Sequence, residues 1–491
     1  MKMLLNKSLT VWIKDTFTWI PFGIGISFVI SKNSSISDLI QLDATIIILC
    51  IIFIIVSLLH IWLSTLLKNK LRGGLYTAGI ISFLLYFSML QPFVESIIGS
   101  ILQYRYITII ALICLIIFFI WIKYTKIISP INKYLTIYIN LLLLKTLFIF
   151  GENVVNYSSN EEFIINDLKK KCKVFVEPDI ITRSKMPDIY YIIVDSYTSS
   201  NSLKKYWGYD NIKFSEYLRK RGFYIAEESR SFARYTTYSM ASTLNMCADE
   251  RLLRSSWELP KRMIAVSSVV SFLQSKGYEF INDSKFIFTE SKKNIVLRHD
   301  NSKLSNTIYW MVWDTFIYQV IAKVYFAVGK TDTEIIQNDI EEISRQSQAH
   351  PKFVYAHFPI PHFPYYLDKN GKSLNWLKQS GQNSKHGYLE QIQGTNIMLE
   401  KLIDSIVNNN ASPPIIIIQG DHGFRFLSGN EKFKETFTIM NAYLFPDRNY
   451  KRLSLSISPY NTFRVIFNQC FGARLPLLSD SLQGIRYENS R

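Results

Sequence analysis

The sequence predicts two unlike parts: an N-terminal domain of several membrane-spanning helices, then an α/β domain built on a mostly parallel central sheet. Three observations carry this prediction. The first 150 of 491 residues hold five apolar runs separated by short polar joints. Farther on, Asp188–Asp195 (DIYYIIVD), Phe353–His357 (FVYAH) and Pro414–His422 (PIIIIQGDH) are short, rich in β-branched residues and lack polar alternation. Such runs read as strands buried on both faces, as in a parallel sheet covered by helices. Each run also ends in a metal-type or acid/base side chain: Asp195, His357, and Asp421 with His422. Open α/β sheets bind ligands at the carboxyl ends of their strands. Residues scattered over more than 200 positions are therefore expected to meet in one site.

The apolar runs are Phe17–Ile30, Ala44–Leu67, Leu75–Phe93, Tyr106–Ile122 and Ile131–Phe150. A spanning helix needs about 20 mostly apolar residues. The middle three satisfy this; the first is short and carries Pro21, and the fifth contains Lys145. Five spans over residues 1–150 are expected. Lysine and arginine favour the cytoplasmic side of short loops. Lys2, Lys7, Lys14, Lys68, Lys70, Arg72, Lys123, Lys126 and Lys133 fall on one side of the implied membrane, against Lys32 and Arg105 on the other. The N-terminus is thus expected in the cytoplasm of a cell with a bacterial-type inner or cell membrane, with everything after five crossings periplasmic or extracellular. No small-residue cleavage site follows the first run, so it reads as retained.

Residues 151–186 are polar and mixed, and are expected as a partly helical linker. Residues 187–491 then form the outer domain. The charge of +16 argues little for nucleic acid, because +8 of it lies in residues 1–150 and no basic stripe interleaved with aromatics follows. A membrane surface or an anionic substrate fits better. Of five cysteines, Cys50 and Cys114 lie in spans, leaving Cys172, Cys247 and Cys470. That is neither a disulfide framework nor a zinc knuckle, and one bridge at most is allowed.

Within the outer domain, Ser196–Ser202 is hydroxyl-rich, and Lys213–Arg221 has helical spacing ended by Gly222. Asp421-His422-Gly423 sets a carboxylate and an imidazole side by side where the chain turns, and both are ordinary ligands of zinc or manganese. Arg234–Met246 begins with hydroxyls and continues small and apolar at helix-like spacing. A hydroxyl at a helix start either caps the helix or meets a phosphate there. Composition leaves Thr236, Thr237, Ser239 and Ser242 as equal candidates.

The ordered set PDIYYIIVDSYTSS, the Thr-rich helix start ending in ASTLNM, AHFPIPHFPYYLD, IIIIQGDHG and PYNTFRVIFN resembles the sulfatase-like branch of the alkaline phosphatase superfamily. The resemblance is strongest to membrane-anchored lipoteichoic acid synthases and phosphoethanolamine transferases, and covers about residues 187–470. It implies that Asp195, Asp421 and His422 are metal ligands and that Thr236 is both ligand and nucleophile. His362, in Pro361-His362-Phe363-Pro364, corresponds to a histidine that binds substrate phosphate or protonates the leaving oxygen. Arg425 follows the Asp-His pair and is a candidate for a phosphate oxygen. His357 lacks a clear counterpart and stands both as a candidate substrate contact and as a packed strand-end residue.

The sequence departs from the pattern in two places. True sulfatases carry a Cys or Ser two residues before Pro and four before Arg, for conversion to formylglycine; Thr236-Thr237-Tyr238-Ser239-Met240 has neither. Two-metal relatives have a further histidine after the Asp-His pair, and none follows His422. One divalent ion, manganese, zinc or magnesium, is therefore implied. Such an ion lowers the pKa of a hydroxyl it holds. The resemblance implies transfer of a phosphoglycerol or phosphoethanolamine group from a phospholipid donor to an envelope glycan or glycolipid through a phospho-threonine. Its alternatives are a membrane-anchored phosphodiesterase, phosphatase or sulfuric ester hydrolase, and an inactive binding relative.

Overall fold

A computed structural model of the chain describes residues 18–35, 42–98, 104–157, 160–171, 186–255, 257–289, 294–296, 315–316, 332–346, 350–374, 384–427 and 430–480. Cys172, Lys2, Lys7, Lys14 and the expected linker beyond Lys171 lie outside these residues. The chain divides into two compact units: residues 1–160 with 300–325, and residues 161–299 with 326–491.

The first unit is helical: α1 (Ile20–Ser35), α2 (Leu42–Leu66), α3 (Lys70–Ile98), α4 (Tyr104–Tyr124) and α5 (Ile128–Tyr157). A helix thus stands at each of the five apolar runs. Among the described residues three stretches are long and apolar enough to cross a membrane, Thr45–Leu66, Tyr106–Tyr124 and Ile128–Glu152, while Ile20–Lys32 is a shorter apolar helix. Ile51, Phe53, Ile54, Leu58, Ile113, Ile116 and Ile120 point outward, the reverse of a water-soluble bundle. Phe316, from the far side of the sequence, packs on Phe83 and Phe87 of α3. Phe316 thus groups with this unit.

The second unit is the expected α/β domain. Among the described residues, seven strands lie in the order β2 (Tyr224–Ile225), β7 (Asn441–Leu444), β6 (Ile415–Gly420), β1 (Ile189–Val194), β5 (Lys352–Phe358), β3 (Glu279–Asp283), β4 (Asn294–Val296). β6, β1, β5, β3 and β4 run parallel, and β7 runs against them at one side. The three apolar runs are the three central strands. Ile189, Tyr191 and Ile193 face one apolar layer; Tyr190, Ile192 and Val194 face the other. Burial on both faces is what removes the polar alternation. The first layer includes α9 (Thr236–Leu244), α11 (Glu258–Ala265), α12 (Ser268–Ser275) and α16 (Pro459–Cys470). The second includes α7 (Ser200–Trp207), α8 (Ile212–Lys220), α13 (Asp332–Arg345) and α14 (Lys385–Asn409). Helix α8 ends at Gly222, whose φ of 85° suits a residue without a β-carbon. No disulfide joins Cys247 to Cys470.

Strand register positions the site. Val194 lies opposite both Phe358 of β5 and Gly420 of β6. Asp195 and Asp421, each one residue farther, therefore leave the sheet side by side, with His357 one step back on the opposite neighbour.

Candidate active site

Asp195, Asp421 and His422 converge at the carboxyl edge, with one ligand atom from each lying within 4.8 Å of the others. His422 Nε2 is 3.6 Å from Asp195 Oδ1 and 3.5 Å from Asp421 Oδ2. Thr236 adds a fourth atom, its Oγ1 3.4 Å from the same Nε2. A tetrahedral ion with ligands at about 2.1 Å requires donor atoms about 3.4 Å apart. The distances to Nε2 match that edge length.

The hydrogen bonds leave these four atoms turned inward. Asp421 Oδ1 accepts from the backbone N–H of Ser196 (2.9 Å) and of His422 (2.8 Å). Its Oδ2, like Asp195 Oδ1, is buried without a hydrogen-bond partner. Nδ1 of His422 lies 2.8 Å from the Gly423 carbonyl, so the ring proton sits there and the Nε2 lone pair faces the carboxylates. A metal-binding histidine is commonly oriented in this way by a carbonyl behind it. Gly423 allows the approach: a β-carbon there would come within 2.5 Å of the Thr438 carbonyl oxygen. The donor set thus fits a divalent cation. Two carboxylates, one neutral imidazole and one hydroxyl suit zinc, manganese or magnesium.

The electrostatics agree with the geometry. Burial drives His422 down to about 3, assisted by Arg425, so the imidazole is neutral. Burial pushes Asp195 well above the usual carboxylate range, and the adjacent charge of Asp421 adds to this, while Arg425 and Lys285 oppose it. Burial would raise Asp421 as well, but His422, His357, the nearby Thr236 hydroxyl and the Ser196 N–H hold it low. Two buried carboxylates this close ionise together cheaply only beside a cation.

Thr236 is the first residue of α9 and Tyr235 is its N-cap, so the Thr236 hydroxyl is not the capping group. Of the other hydroxyls, Ser239 donates to the Ala233 carbonyl at 2.8 Å and Ser242 to that of Cys247. Both are committed to the backbone. Thr236 is the candidate hydroxyl that lies against His422 Nε2.

His362 and Arg425 form the wall beside these atoms. Arg425 Nη2 donates to His362 Nε2 at 2.6 Å, and Nδ1–H of His362 points at the Phe363 carbonyl, also at 2.6 Å. Burial, with the guanidinium, lowers His362 to about 4. It is therefore neutral, with Nε2 an acceptor. Arg425 also lies over the Tyr235 ring, 5.4 Å from its centroid, so it is lodged in the site and not a free surface arginine. His357 is half-buried, its Nδ1 3.1 Å from the Tyr355 hydroxyl and its ring against Phe286. It does not join the four convergent atoms.

Sequence reasoning missed Ser196, Tyr388 and Lys285. Ser196 stood in a hydroxyl-rich stretch, but nothing local marks its left-handed backbone (φ 69°) or its bonds to Asp421 and His422. Lys285 follows β3, two strands from β1, and only the strand order brings its charge to bear on Asp195.

Comparison with known proteins returns one family model, Sulfatase, over residues 187–445. No curated protein matches. Solved structures that resemble the chain include the C-terminal periplasmic domain of EcEptC from Escherichia coli in complex with Zn (11% identity, 58% of this chain and 82% of that one, TM-score 0.39). Another is the C-terminal periplasmic domain of the phosphoethanolamine transferase EptC from Campylobacter jejuni (13%, 60% and 92%, TM-score 0.38). A third is the phosphonate monoester hydrolase of Agrobacterium radiobacter (10%, 59% and 74%, TM-score 0.39).

Proposed function

The chain belongs to the sulfatase family, and we propose that within it this protein is a membrane-anchored, metal-dependent phosphotransferase. It would move a phosphoglycerol or phosphoethanolamine head group from a phospholipid to an envelope glycan or glycolipid. The observation that carries the reading is Thr236: a threonine, which cannot become formylglycine, stands with its hydroxyl 3.4 Å from His422 Nε2, the same ring atom that Asp195 and Asp421 approach. The span-capable helices of the first unit support a donor that stays in the bilayer.

Asp195, Asp421, His422 and Thr236 would hold one divalent ion, which when bound supplies positive charge that favours an ionised hydroxyl and offsets the charge of an anionic substrate. Thr236 Oγ1 attacks the donor phosphorus, the ester bond to diacylglycerol breaks, and the lipid oxygen leaves with a proton. The acceptor hydroxyl then attacks the phospho-threonine, losing its proton as Thr236 is released. Arg425 holds a non-bridging phosphate oxygen. His362, now an acceptor toward Arg425, gains a proton more readily once an anionic phosphate lies beside it, and then serves as donor. The domain division that goes with this reading is a membrane domain over residues 1–150, a linker over 151–186 and an outer catalytic domain over 187–491, with the N-terminus cytoplasmic.

The test is incubation of the full chain with head-group-labelled phosphatidylglycerol or phosphatidylethanolamine and a glycan acceptor, followed by mass spectrometry. Label on the acceptor is expected, with diacylglycerol as co-product. Free glycerol phosphate or phosphoethanolamine formed equally well without acceptor would make the enzyme a phosphodiesterase. Removing one such charge-stabilising donor usually costs about 10²-fold. Arg425→Ala should accordingly lower kcat/KM by about 10²-fold while ion content is unchanged. Arg425→Lys should recover only part of it, since the ammonium lacks the planar fork that reaches His362 and a phosphate together.

A further inference from the structure

Behind the four convergent atoms lies a buried phenol that touches none of them. Tyr388, in the first turn of α14, is fully buried. Its hydroxyl donates to the Ser196 carbonyl at 2.7 Å and accepts the Thr198 N–H at 3.2 Å. One oxygen thus closes the turn that follows β1. Resting on the metal-site reading above, we infer that Tyr388 is a positioning residue for the cation: its hydroxyl holds the Ser196 turn that joins the ligand from β1 to the two ligands from β6.

Ser196 directly follows Asp195. Its φ of 69° is a conformation that a residue with a β-carbon adopts only when its surroundings compel it. Each of its polar groups is used. The N–H goes to Asp421 Oδ1 at 2.9 Å; Oγ lies 3.2 Å from His422 Nδ1 and 3.5 Å from the Gly423 carbonyl. The carbonyl goes to Tyr388. Immediately before it, the Asp195 N–H is fixed to the Phe358 carbonyl of β5 at 3.0 Å. Ser196 is therefore the junction at which one strand's ligand is registered against the next strand's pair. A relaxed Ser196 would release the N–H that turns Asp421 Oδ2 inward and let Asp195 rotate away. Tyr388 supplies the contact from outside the junction that keeps it in place.

The phenol ring is held independently of its hydroxyl, against Phe424 (4.6 Å between centroids), Trp207 (5.2 Å) and Tyr365 (6.2 Å). Tyr388→Phe consequently removes the two hydrogen bonds and leaves the packing. A control sits on the same loop: the Tyr197 hydroxyl donates to Asn396 of α14 and accepts from Asn211, without touching Ser196. Outer-sphere partners of metal ligands are typically worth 10- to 100-fold in affinity.

The experiment titrates Zn²⁺ and Mn²⁺ into chelator-stripped full-length protein in detergent, with wild type, Tyr388→Phe, Tyr197→Phe and Asp421→Ala side by side. Tyr388→Phe should bind the ion about 10- to 100-fold more weakly, with Tyr197→Phe within a few-fold of wild type. Equal weakening in the two phenylalanine variants would mean general loosening of the loop and would overturn the inference. So would wild-type affinity in Tyr388→Phe when Asp421→Ala has lost the ion, which leaves the metal site standing. An ion indifferent to Asp421→Ala would overturn the site reading and the clamp with it.

Discussion

Thr236→Ala should leave a folded protein that has lost turnover by roughly 10³-fold or more, the scale seen when a nucleophile is removed from an active site. The cost in stability should be small, because Tyr235 and not Thr236 caps α9, so the roughly 1 kcal/mol normally lost with a capping hydroxyl does not apply. Thr237→Ala is the matched control: a one-residue step on a helix turns the side chain by about 100°. Ser239→Ala removes a hydroxyl already bonded to the Ala233 carbonyl and should lower stability with turnover largely kept. Trapping with labelled lipid, digestion and mass spectrometry should find the phosphoryl group on Thr236. Label on another residue, or wild-type rates in Thr236→Ala, would remove the nucleophile assignment and leave the cation site standing.

The second large effect concerns the cation and has a sign that simple loss of a contact does not produce. Metal analysis of the purified full chain should find about one divalent ion, lost in Asp421→Ala and His422→Ala and removed by chelator together with activity. An ion present at a thousand times its dissociation constant stabilises the fold by about 4 kcal/mol, so stripping it should lower the thermal midpoint visibly. Asp421→Asn separates charge from shape. The amide keeps the acceptor that Ser196 and His422 bond to, and its N–H₂ then faces His422 Nε2 in place of a second anionic oxygen. With metal present, Asp421→Asn should be less stable than wild type. In chelator the order should reverse, because the Asp195–Asp421 repulsion is gone. The same order under both conditions, or two ions held with similar affinity, would contradict a single cation site.

Much of the fold was legible because burial leaves a mark on composition. Ile415–Ile418 reads as a strand buried on both faces, and the structure places alternate isoleucines in opposite layers. The helices at the five apolar runs were visible from composition too, and among the described residues three of them are long and apolar enough to cross a membrane. The packing of Phe316 on Phe83 and Phe87 was not visible, since a contact across more than 200 residues has no local signature.

By itself the sequence determined which chemistry could end each strand: Asp195, His357, and the Asp421-His422 pair before a glycine. These are local facts, set by strand length and by what a turn tolerates. Register and strand order decided the rest. They put Asp195 beside Asp421, turned Thr236 rather than Ser239 or Ser242 toward His422, and paired His362 with Arg425. They also left His357 against Tyr355 and Phe286, and brought Tyr388 behind Ser196. In a parallel sheet each neighbour arrives through a long crossover, and one residue of slip would turn every side chain to the opposite face. The list of candidates therefore belongs to the chain, while the choice among them belongs to the packed sheet.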